Sequence, residues 1–207
     1  MRKLFALLLA LGLVISLSAC DEIPGSGGNT ADQNNAAADS GDDGLIRADE
    51  NGFATGFLGD TLRTSFFDFT VNSAYTCSEF EGYIPSAGNT LLVTDVTFYN
   101  YTIYSQTMYD TDLQAQWSGK NDDDYALPIT YARTETYPNT GVDPMGDMFP
   151  TQFDLGIQET RSGLLVYEVP AGEKDYSLSF LEYFSDESYG DLFFVYFTPE
   201  VREAVEF

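Results

Sequence analysis

Histidine is absent from the 207-residue chain, and basic residues are scarce, with nine Lys and Arg against 33 Asp and Glu. Without histidine there can be no Ser-His-Asp triad, no Cys-His nucleophile and no imidazole proton shuttle near neutral pH. The net charge of −24 leaves little positive charge for phosphate groups, so we expect no nucleic-acid partner. Because most familiar hydrolase machinery is missing, we expect neither catalysis nor a cofactor.

The first 19 residues have the composition of a signal peptide. Arg2 and Lys3 precede an apolar run of 14 residues, 4–17. This run is too short to cross a hydrocarbon core of about 30 Å comfortably. We therefore expect residues 1–19 to direct export and to be removed.

The tetrapeptide Leu17-Ser18-Ala19-Cys20 resembles the lipobox of bacterial lipoproteins, in which the cysteine sulfur receives a diacylglyceryl group before cleavage. Each buried CH₂ of an acyl chain adds about 0.8 kcal/mol, so two or more chains on Cys20 make a stable anchor. We expect the protein to be lipid-anchored on the extracytoplasmic face of the cell membrane. An ordinary signal peptide with an incidental cysteine is the alternative.

Residues 20–52 are predicted to form a disordered tether behind the lipidated cysteine. Residues 21–44 consist mainly of Asp, Asn, Ala, Gly and Ser, and Ile23 is the only large apolar side chain among them. Such a segment buries too little apolar surface to offset its chain entropy. A flexible coil of this length spans roughly 27 Å, enough to hold a domain away from the membrane.

Residues 53–199 are predicted to form a single all-β domain, an immunoglobulin-like antiparallel sandwich. Short segments rich in Phe, Tyr, Val, Thr and Leu alternate with Gly, Pro, Asn and Asp clusters, without sustained helical periodicity. About seven to nine such strands fit one sandwich. The expected strands cover residues 61–73, 90–104, 108–117, 125–131, 151–157, 163–169, 176–184 and 191–197. Residues 200–207 are expected to be a short tail that is either helical or frayed.

In the predicted strand 90–104, Leu92, Val96 and Phe98 share one side while Asp95 and Thr97 lie opposite. This alternation predicts a strand with one wet face.

The segments 61–73 and 191–197 also predict which faces are buried. In the first, Phe67, Phe69 and Val71 share one face and polar residues occupy the other, which predicts a half-buried strand. Residues 193–197 read Phe-Phe-Val-Tyr-Phe and are apolar on both faces. This pattern predicts a central strand that is covered from both sides.

Three segments resemble a known family. They are Gly59-Asp60-Thr61 leading into Phe69-Thr70-Val71-Asn72-Ser73, then residues 91–100 (LLVTDVTFYN), and then residues 163–170 (GLLVYEVP). Their order and spacing are similar to those of the telokin-like extracellular domains of bacterial lipoproteins and of a mycobacterial secreted immunoprotective antigen. The resemblance covers roughly residues 59–198. It implies an immunoglobulin-like sandwich of unknown function with no catalytic residues.

The chain departs from that family in residues 131–150, which look like an insertion between strands. Long loops on rigid sandwiches often make the functional contacts. We therefore expect a partner-facing loop here, with Tyr137, Met145, Met148 and Phe149 as candidate contact residues.

Cys77 is a second departure, because it lies in a predicted loop and has no partner cysteine. Glu79 and Glu81 lie nearby, and their charge should raise the pKa of the thiol. An inert and partly buried thiol is therefore expected.

The run Asp122, Asp123 and Asp124 is a candidate for a weak Ca²⁺ loop, since calcium requires hard oxygen ligands on a flexible segment. It lacks the ligand alternation, the glycine and the terminal glutamate of an EF-hand loop. A solvated hairpin tip is the favoured interpretation of the run, so no metal is expected.

These observations favour an envelope-anchored lipoprotein whose module has a non-catalytic binding or structural role, with a protein or glycan partner. The alternative is a carbohydrate- or cell-wall-binding module on the same sandwich. A glycosidase with paired carboxylates would need no histidine, but 33 acidic residues make some close pair inevitable, so their number favours nothing.

Overall fold

The computed structural model describes residues 43–118, 125–131 and 141–202. These residues form β-strands joined by turns, with one short 3-10 helix at Asp110–Asp112. The strands are β1 Phe53–Phe57, β2 Thr61–Arg63, β3 Asp68–Cys77, β4 Asn89–Tyr99, β5 Gln106–Tyr109, β6 Gln114–Trp117, β7 Gln152–Leu155, β8 Thr160–Pro170, β9 Tyr176–Tyr183, β10 Tyr189–Phe197 and β11 Glu200–Val201.

Two sheets form the sandwich. One has the strand order β1-β10-β9-β6, and the other has the order β11-β3-β4-β8 with β2 paired to β3. If β3, β4, β6, β8, β9 and β10 are read as strands A, B, C, E, F and G, the sheets reproduce the A-B-E and C-F-G order of an immunoglobulin-like sandwich. The predicted all-β sandwich is confirmed. Its sheets are antiparallel except that β1 pairs in parallel with β10, and β11 with β3.

The core between the sheets is largely aromatic. Phe69 and Phe98 come from the β3-β4-β8 side, and Phe180 and Phe193 come from the facing sheet. Phe67 lies between them, with its ring centroid 5.4 Å from that of Phe98 and 5.0 Å from that of Phe180. Such edge-on and tilted pairs add about 0.5–1.5 kcal/mol each beyond the burial of their area.

A second, smaller core covers part of the outer face of β3-β4-β8. Leu91 and Val93 of β4 and Val166 of β8 point away from the main core and are fully buried. Ile129 and Met148, from segments that cross this face, pack on them. The sheet is therefore buried on both sides along part of its length, where alternation in β4 predicts one wet face.

Local hydrogen bonds divide two of the predicted strands. Residues 61–73 form two strands, because Thr64 Oγ1 accepts the N–H groups of Phe66 and Phe67 and turns the chain. Residues 108–117 are divided by the 3-10 helix between β5 and β6.

The predicted strand at residues 125–131 is wrong. Only isolated bridges occur there, from Ala126 to Ala115 and from Pro128 to Tyr167. A proline has no amide hydrogen to donate, which explains why the ladder does not continue.

The sandwich extends beyond residues 53–199 at both ends. Ile46 donates its N–H to the Thr61 carbonyl at 2.9 Å, and its half-buried side chain packs against the main core. In the predicted tail, β11 pairs with β3 instead of forming a helical turn. The signal peptide and residues 20–42 of the predicted tether lie outside the described residues.

The prediction that residues 193–197 are covered on both faces is wrong. β10 is a central strand between β1 and β9. Phe193, Val195 and Phe197 are buried in the main core, but Phe194 is only half-buried and Tyr196 is exposed. The described residues leave the outer face of this sheet open.

Gly163 is required by the close passage of a crossing segment over β8. A Cβ atom at this position would lie 3.0 Å from the Asp147 carbonyl oxygen and 3.0 Å from the Phe149 ring. We expect Gly163→Ala to lower the free energy of unfolding by about 1–3 kcal/mol, because the added methyl group must displace backbone. Equilibrium urea denaturation measures this loss.

The control is the neighbouring variant Ser162→Ala. It removes one 2.8 Å hydrogen bond between the hydroxyls of Ser162 and Thr97, and should cost about 1 kcal/mol or less. Equal losses in the two variants would contradict the crowding at Gly163.

Candidate functional site

The outer face of the sheet β1-β10-β9-β6 carries a group of side chains that is unusual for a protein surface. Strand alternation and register determine which positions point outward. They are Phe53, Thr55 and Phe57 on β1, Leu192, Phe194 and Tyr196 on β10, Ser177, Ser179, Leu181 and Tyr183 on β9, and Gln114 and Gln116 on β6. Together with Tyr189 we name this set the aromatic face.

The register places the apolar members of the aromatic face side by side. Phe53 is paired with Leu192, which is paired with Leu181, and this forms one continuous row across three strands. A second row begins with Phe57, which is paired with Tyr196. The apolar side chains are thus contiguous across β1, β10 and β9.

Ring contacts connect the aromatic side chains within the face. The rings of Phe194 and Tyr196 stack with centroids 5.7 Å apart and an interplanar angle of 20°. At the end of the β9-β10 hairpin, the centroids of Tyr183 and Tyr189 are 5.4 Å apart. Phe57 is 59% exposed and Tyr196 is 43% exposed. A contiguous apolar surface of this kind typically marks an interaction site.

Carboxylates lie at both ends of the aromatic face, although its strand positions are all uncharged. The Asp60 carboxylate accepts the N–H of Phe57 at 2.8 Å, beyond the end of β1. At the same end of the sheet, Asp175 accepts the hydroxyl of Thr198 at 3.0 Å. We name the carboxylates at the two ends the acidic rim, which consists of Asp49, Asp60, Glu173, Asp175 and Asp191.

Backbone hydrogen bonds stabilise the ionised form of Asp49 in the acidic rim. It lies at the start of β1, where its carboxylate accepts the N–H groups of Phe53 at 3.1 Å and Asn51 at 2.9 Å. Hydrogen bonds from Phe53 and Asn51 hold the pKa of Asp49 below its ordinary value. It therefore remains charged at neutral pH.

A groove of about 390 Å³ lies between β5 and the end of β9, and it shares Leu181 and Tyr183 with the aromatic face. Its lining includes Phe67, Met108 and Phe180 together with Asp112. Burial raises the pKa of Asp112 to about 6, although the N–H of Tyr109 donates to this carboxylate at 2.8 Å. Asp112 therefore titrates closer to neutrality than an ordinary carboxyl group.

Asp110, two residues earlier, is not available to a ligand in that groove. It is 3% exposed and accepts the hydroxyl of Thr130. Burial raises the pKa of Asp110 as well. Because its carboxyl group is enclosed, the pair Asp110 and Asp112 does not present two acids to one substrate, as a glycosidase requires.

A second groove, also of about 390 Å³, lies over β4 and β8. It is lined by Asp95, Arg161 and Ser162 among others. The Arg161 guanidinium lies over the Phe153 ring at 4.7 Å, and the Ser162 hydroxyl is hydrogen-bonded to another side chain. Because these groups are occupied by the protein itself, they offer little to a ligand.

Two of the candidate contact residues in the predicted partner-facing loop belong to the protein's own core. Phe149 is 3% exposed, and its ring centroid lies 5.4 Å from that of Phe98 and 4.9 Å from that of Phe153. Met148 is 7% exposed in the second core, and Met145 is half-buried against it. These apolar side chains cover the sheet and do not project toward a partner. Tyr137 lies outside the described residues.

Cys77 is the last residue of β3 and not a loop residue, and it is buried. Burial raises the pKa of its thiol, while the Arg202 charge and a backbone hydrogen bond at Glu79 act in the opposite direction. The direction of the shift agrees with the sequence-based expectation, but its main cause is burial and not nearby carboxylates.

The remaining predicted site residues lie outside the described residues. These are the lipobox with its lipid attachment site, Leu17, Ser18, Ala19 and Cys20, and the candidate calcium loop, Asp122, Asp123 and Asp124. Within the described residues, no helix is long and apolar enough to span a membrane. The same residues contain no group of three or more side chains placed to hold a metal ion.

No protein-family model and no curated protein matches this chain. Several solved structures are similar to it. One is "a putative lipoprotein (ycdA)" from Bacillus subtilis, with a TM-score of 0.45 and 12% identity over 67% of this chain and 38% of that chain. Another is the yjhA protein from Bacillus subtilis, with a TM-score of 0.44 and 16% identity over 70% of this chain and 99% of that chain. A third is an uncharacterized β-sandwich protein from Clostridium difficile 630, with a TM-score of 0.38 and 13% identity over 70% of this chain and 93% of that chain. This chain thus spans 38% of the length of the ycdA protein. Nothing about the function of this chain follows from these similarities.

The raised pKa of Asp112 predicts how the free energy of unfolding depends on pH. Its carboxyl group titrates at about 6 in the folded chain against 3.8 ordinarily, so the folded state favours the protonated form. The resulting stabilisation is present at low pH and is lost as the pH rises through about 6. Between pH 4 and pH 7, the free energy of unfolding of the parent should fall by about 2 kcal/mol relative to that of the Asp112→Asn variant. Urea denaturation at both pH values measures this difference.

Asp186→Asn is the matched control, because Asp186 is exposed and hydrogen bonds from Ser188 lower its pKa. Its contribution should have the opposite slope and disappear as the pH falls below the ordinary carboxyl range. An Asp112 variant whose stability follows the same pH curve as the parent would refute the assignment. The asparagine keeps an oxygen that can accept the N–H of Tyr109, so the turn itself is preserved.

Proposed function

We propose that this chain is a lipid-anchored extracytoplasmic lipoprotein of the cell envelope, whose immunoglobulin-like sandwich binds a partner without catalysis through the aromatic face. The observation that carries the proposal is a contiguous, uncharged apolar surface on a chain with a net charge of −24. Leaving such a surface in water costs free energy that binding recovers.

The proposed anchor is supported by the lipobox-like tetrapeptide ending at Cys20, which follows a basic start and a short apolar run. The acidic chain is repelled by anionic headgroups, so the lipid must supply the attachment. Binding without catalysis is supported by the absence of histidine and by the enclosure of Asp110.

We further propose a relationship to the telokin-like lipoprotein domains. The segments that carry the resemblance fall mainly on β3, β4 and β8. These strands are adjacent in one sheet and correspond to strands A, B and E of the sandwich. The proposal is supported by this placement, because the three segments form one packed layer of the sandwich.

Carbohydrate or cell-wall binding on the same face is the second candidate function. It is favoured by three exposed tyrosines, Tyr183, Tyr189 and Tyr196, which are 55%, 48% and 43% exposed. Exposed tyrosine rings can stack on sugar rings while their hydroxyl groups form hydrogen bonds.

The anchor is tested by replacing the cysteine that would carry the lipid. Cys20→Ala should move the protein from the membrane fraction to the soluble fraction of lysed cells, because the acyl chains are lost. Cys77→Ala is the control and should leave the protein in the membrane fraction, since Cys77 is a buried core residue. Equal membrane retention of the Cys20 variant and the parent would exclude the lipid anchor.

Binding through the aromatic face is tested by placing the photo-crosslinking residue p-benzoylphenylalanine at position 196 in the full chain in living cells. Position 99 is the matched control, because Tyr99 has a similar exposure of 36% but lies on β4 of the other sheet. Irradiation should give specific adducts from position 196 and few from position 99. No adduct from position 196, or equal adducts from both positions, would contradict the proposal.

A further inference from the structure

We propose that the partner of the aromatic face is a protein whose contacting surface is apolar at its centre and basic at its edge. This inference rests on the proposed function of the same face and names the chemistry of the partner. Two features support it: the apolar side chains exposed at the centre of the face, and the carboxylates of the acidic rim.

The centre of the face exposes apolar surface and few free hydrogen-bonding groups. Ser179 lies between the apolar rows and Ser177 lies at the end of the second row, and each is only 5% exposed, which leaves Thr55 as the exposed hydroxyl group of the middle row. A glycan laid across the centre would lose water from its hydroxyl groups and would find few partners there, which costs free energy for every unpaired group. Apolar side chains of a protein have no such requirement.

The aromatic residues at the centre also fit a protein partner. Phe194 stacks on Tyr196, so part of each ring is already covered. The single tryptophan, Trp117, is partly buried against the main core. A face of phenylalanine, leucine and tyrosine surrounded by polar groups has the composition of a protein-protein interface with an apolar centre and a polar rim.

The acidic rim specifies the charge of the partner. Among the described residues near the rim, Lys174 is the one basic side chain, and it lies between Glu173 and Asp175. The described arginines are engaged elsewhere. Arg47 pairs with Asp43, Arg63 pairs with Asp68, Arg161 lies over Phe153, and Arg202 lies over Tyr75. Charge complementarity therefore requires Lys or Arg at the edge of the partner.

The same charges disfavour a second copy of this chain as the partner. Two copies docked through this face would bring one acidic rim against the other, and each chain carries a net charge of −24. Like charges placed opposite each other at an interface cost several kcal/mol. A basic partner converts this repulsion into attraction.

The test is photo-crosslinking with p-benzoylphenylalanine at position 196 of the full lipidated chain. Mass spectrometry of the adduct identifies the cross-linked group as a peptide or a sugar. The double variant Asp60→Asn with Asp175→Asn removes two rim charges but keeps the oxygens that accept from Phe57 and Thr198.

The control double variant is Asp95→Asn with Asp154→Asn. It removes the same charge from β4 and β7, away from the aromatic face, and each carboxylate there is also hydrogen-bonded to a neighbour. In a further arm, the chain with native rim residues is irradiated in isolated envelopes at increasing salt concentration. Added salt shortens the range of the rim charges from about 8 Å at physiological ionic strength to about 3 Å at 1 M.

We expect a peptide adduct from another protein, with Lys or Arg beside the cross-linked position. Its yield should fall about tenfold in the rim variant and at high salt, and should not change in the control variant. A sugar adduct, a peptide of this chain itself, or a yield independent of rim charge and salt would overturn the inference while the proposed binding function stands. The absence of any adduct would overturn both.

Discussion

Contacts between phenylalanine rings hold the two sheets together, and the position of every exposed side chain depends on them. Phe67 bridges Phe98 of one sheet and Phe180 of the other at centroid distances of 5.0–5.4 Å. Rings of this size fix both the spacing and the register of the strands that carry them. Phe193 and Val195 are buried in this core. Because side chains alternate along a strand, the next residue after each of them, Phe194 and Tyr196, must point outward. The aromatic face is thus a geometric consequence of the core.

The sequence was sufficient to predict the sandwich because alternation with a period of two is a local property. The segments that became β3, β4, β8, β9 and β10 were recognised from it. What covers each face is decided by distant parts of the chain, which is why the outer side of β4 was mispredicted. Leu91 and Val93 are apolar because Ile129 and Met148 cross above them, and nothing within β4 itself indicates those segments. The same limitation made Met148 and Phe149 look like loop residues available to a partner.

The aromatic face was missed for a related reason. An all-apolar strand is compatible with a covered central strand and also with a strand whose outer side is left open, so the Phe-Phe-Val-Tyr-Phe run could not distinguish the two. The adjacent strand contains the missing information. In β1 the inward residues are Ala54 and Gly56, and a Cβ atom on Gly56 would lie 2.7 Å from the Leu62 side chain, so a larger residue there must displace that side chain. Small residues inside and phenylalanines outside are the reverse of an ordinary amphipathic strand, and this inversion was visible in the sequence.

Acidity and apolar exposure are complementary features of this surface. A contiguous face of phenylalanine, leucine and tyrosine would promote self-association in a protein of low charge. Here the rim carboxylates bring like charges together whenever two copies meet face to face, within the distance of about 8 Å over which charges act at physiological salt. This repulsion acts only between surfaces of the same sign, so it opposes self-association without opposing the basic partner proposed above. In the proposed interaction, the exposed apolar centre supplies affinity and the negative charge selects the partner.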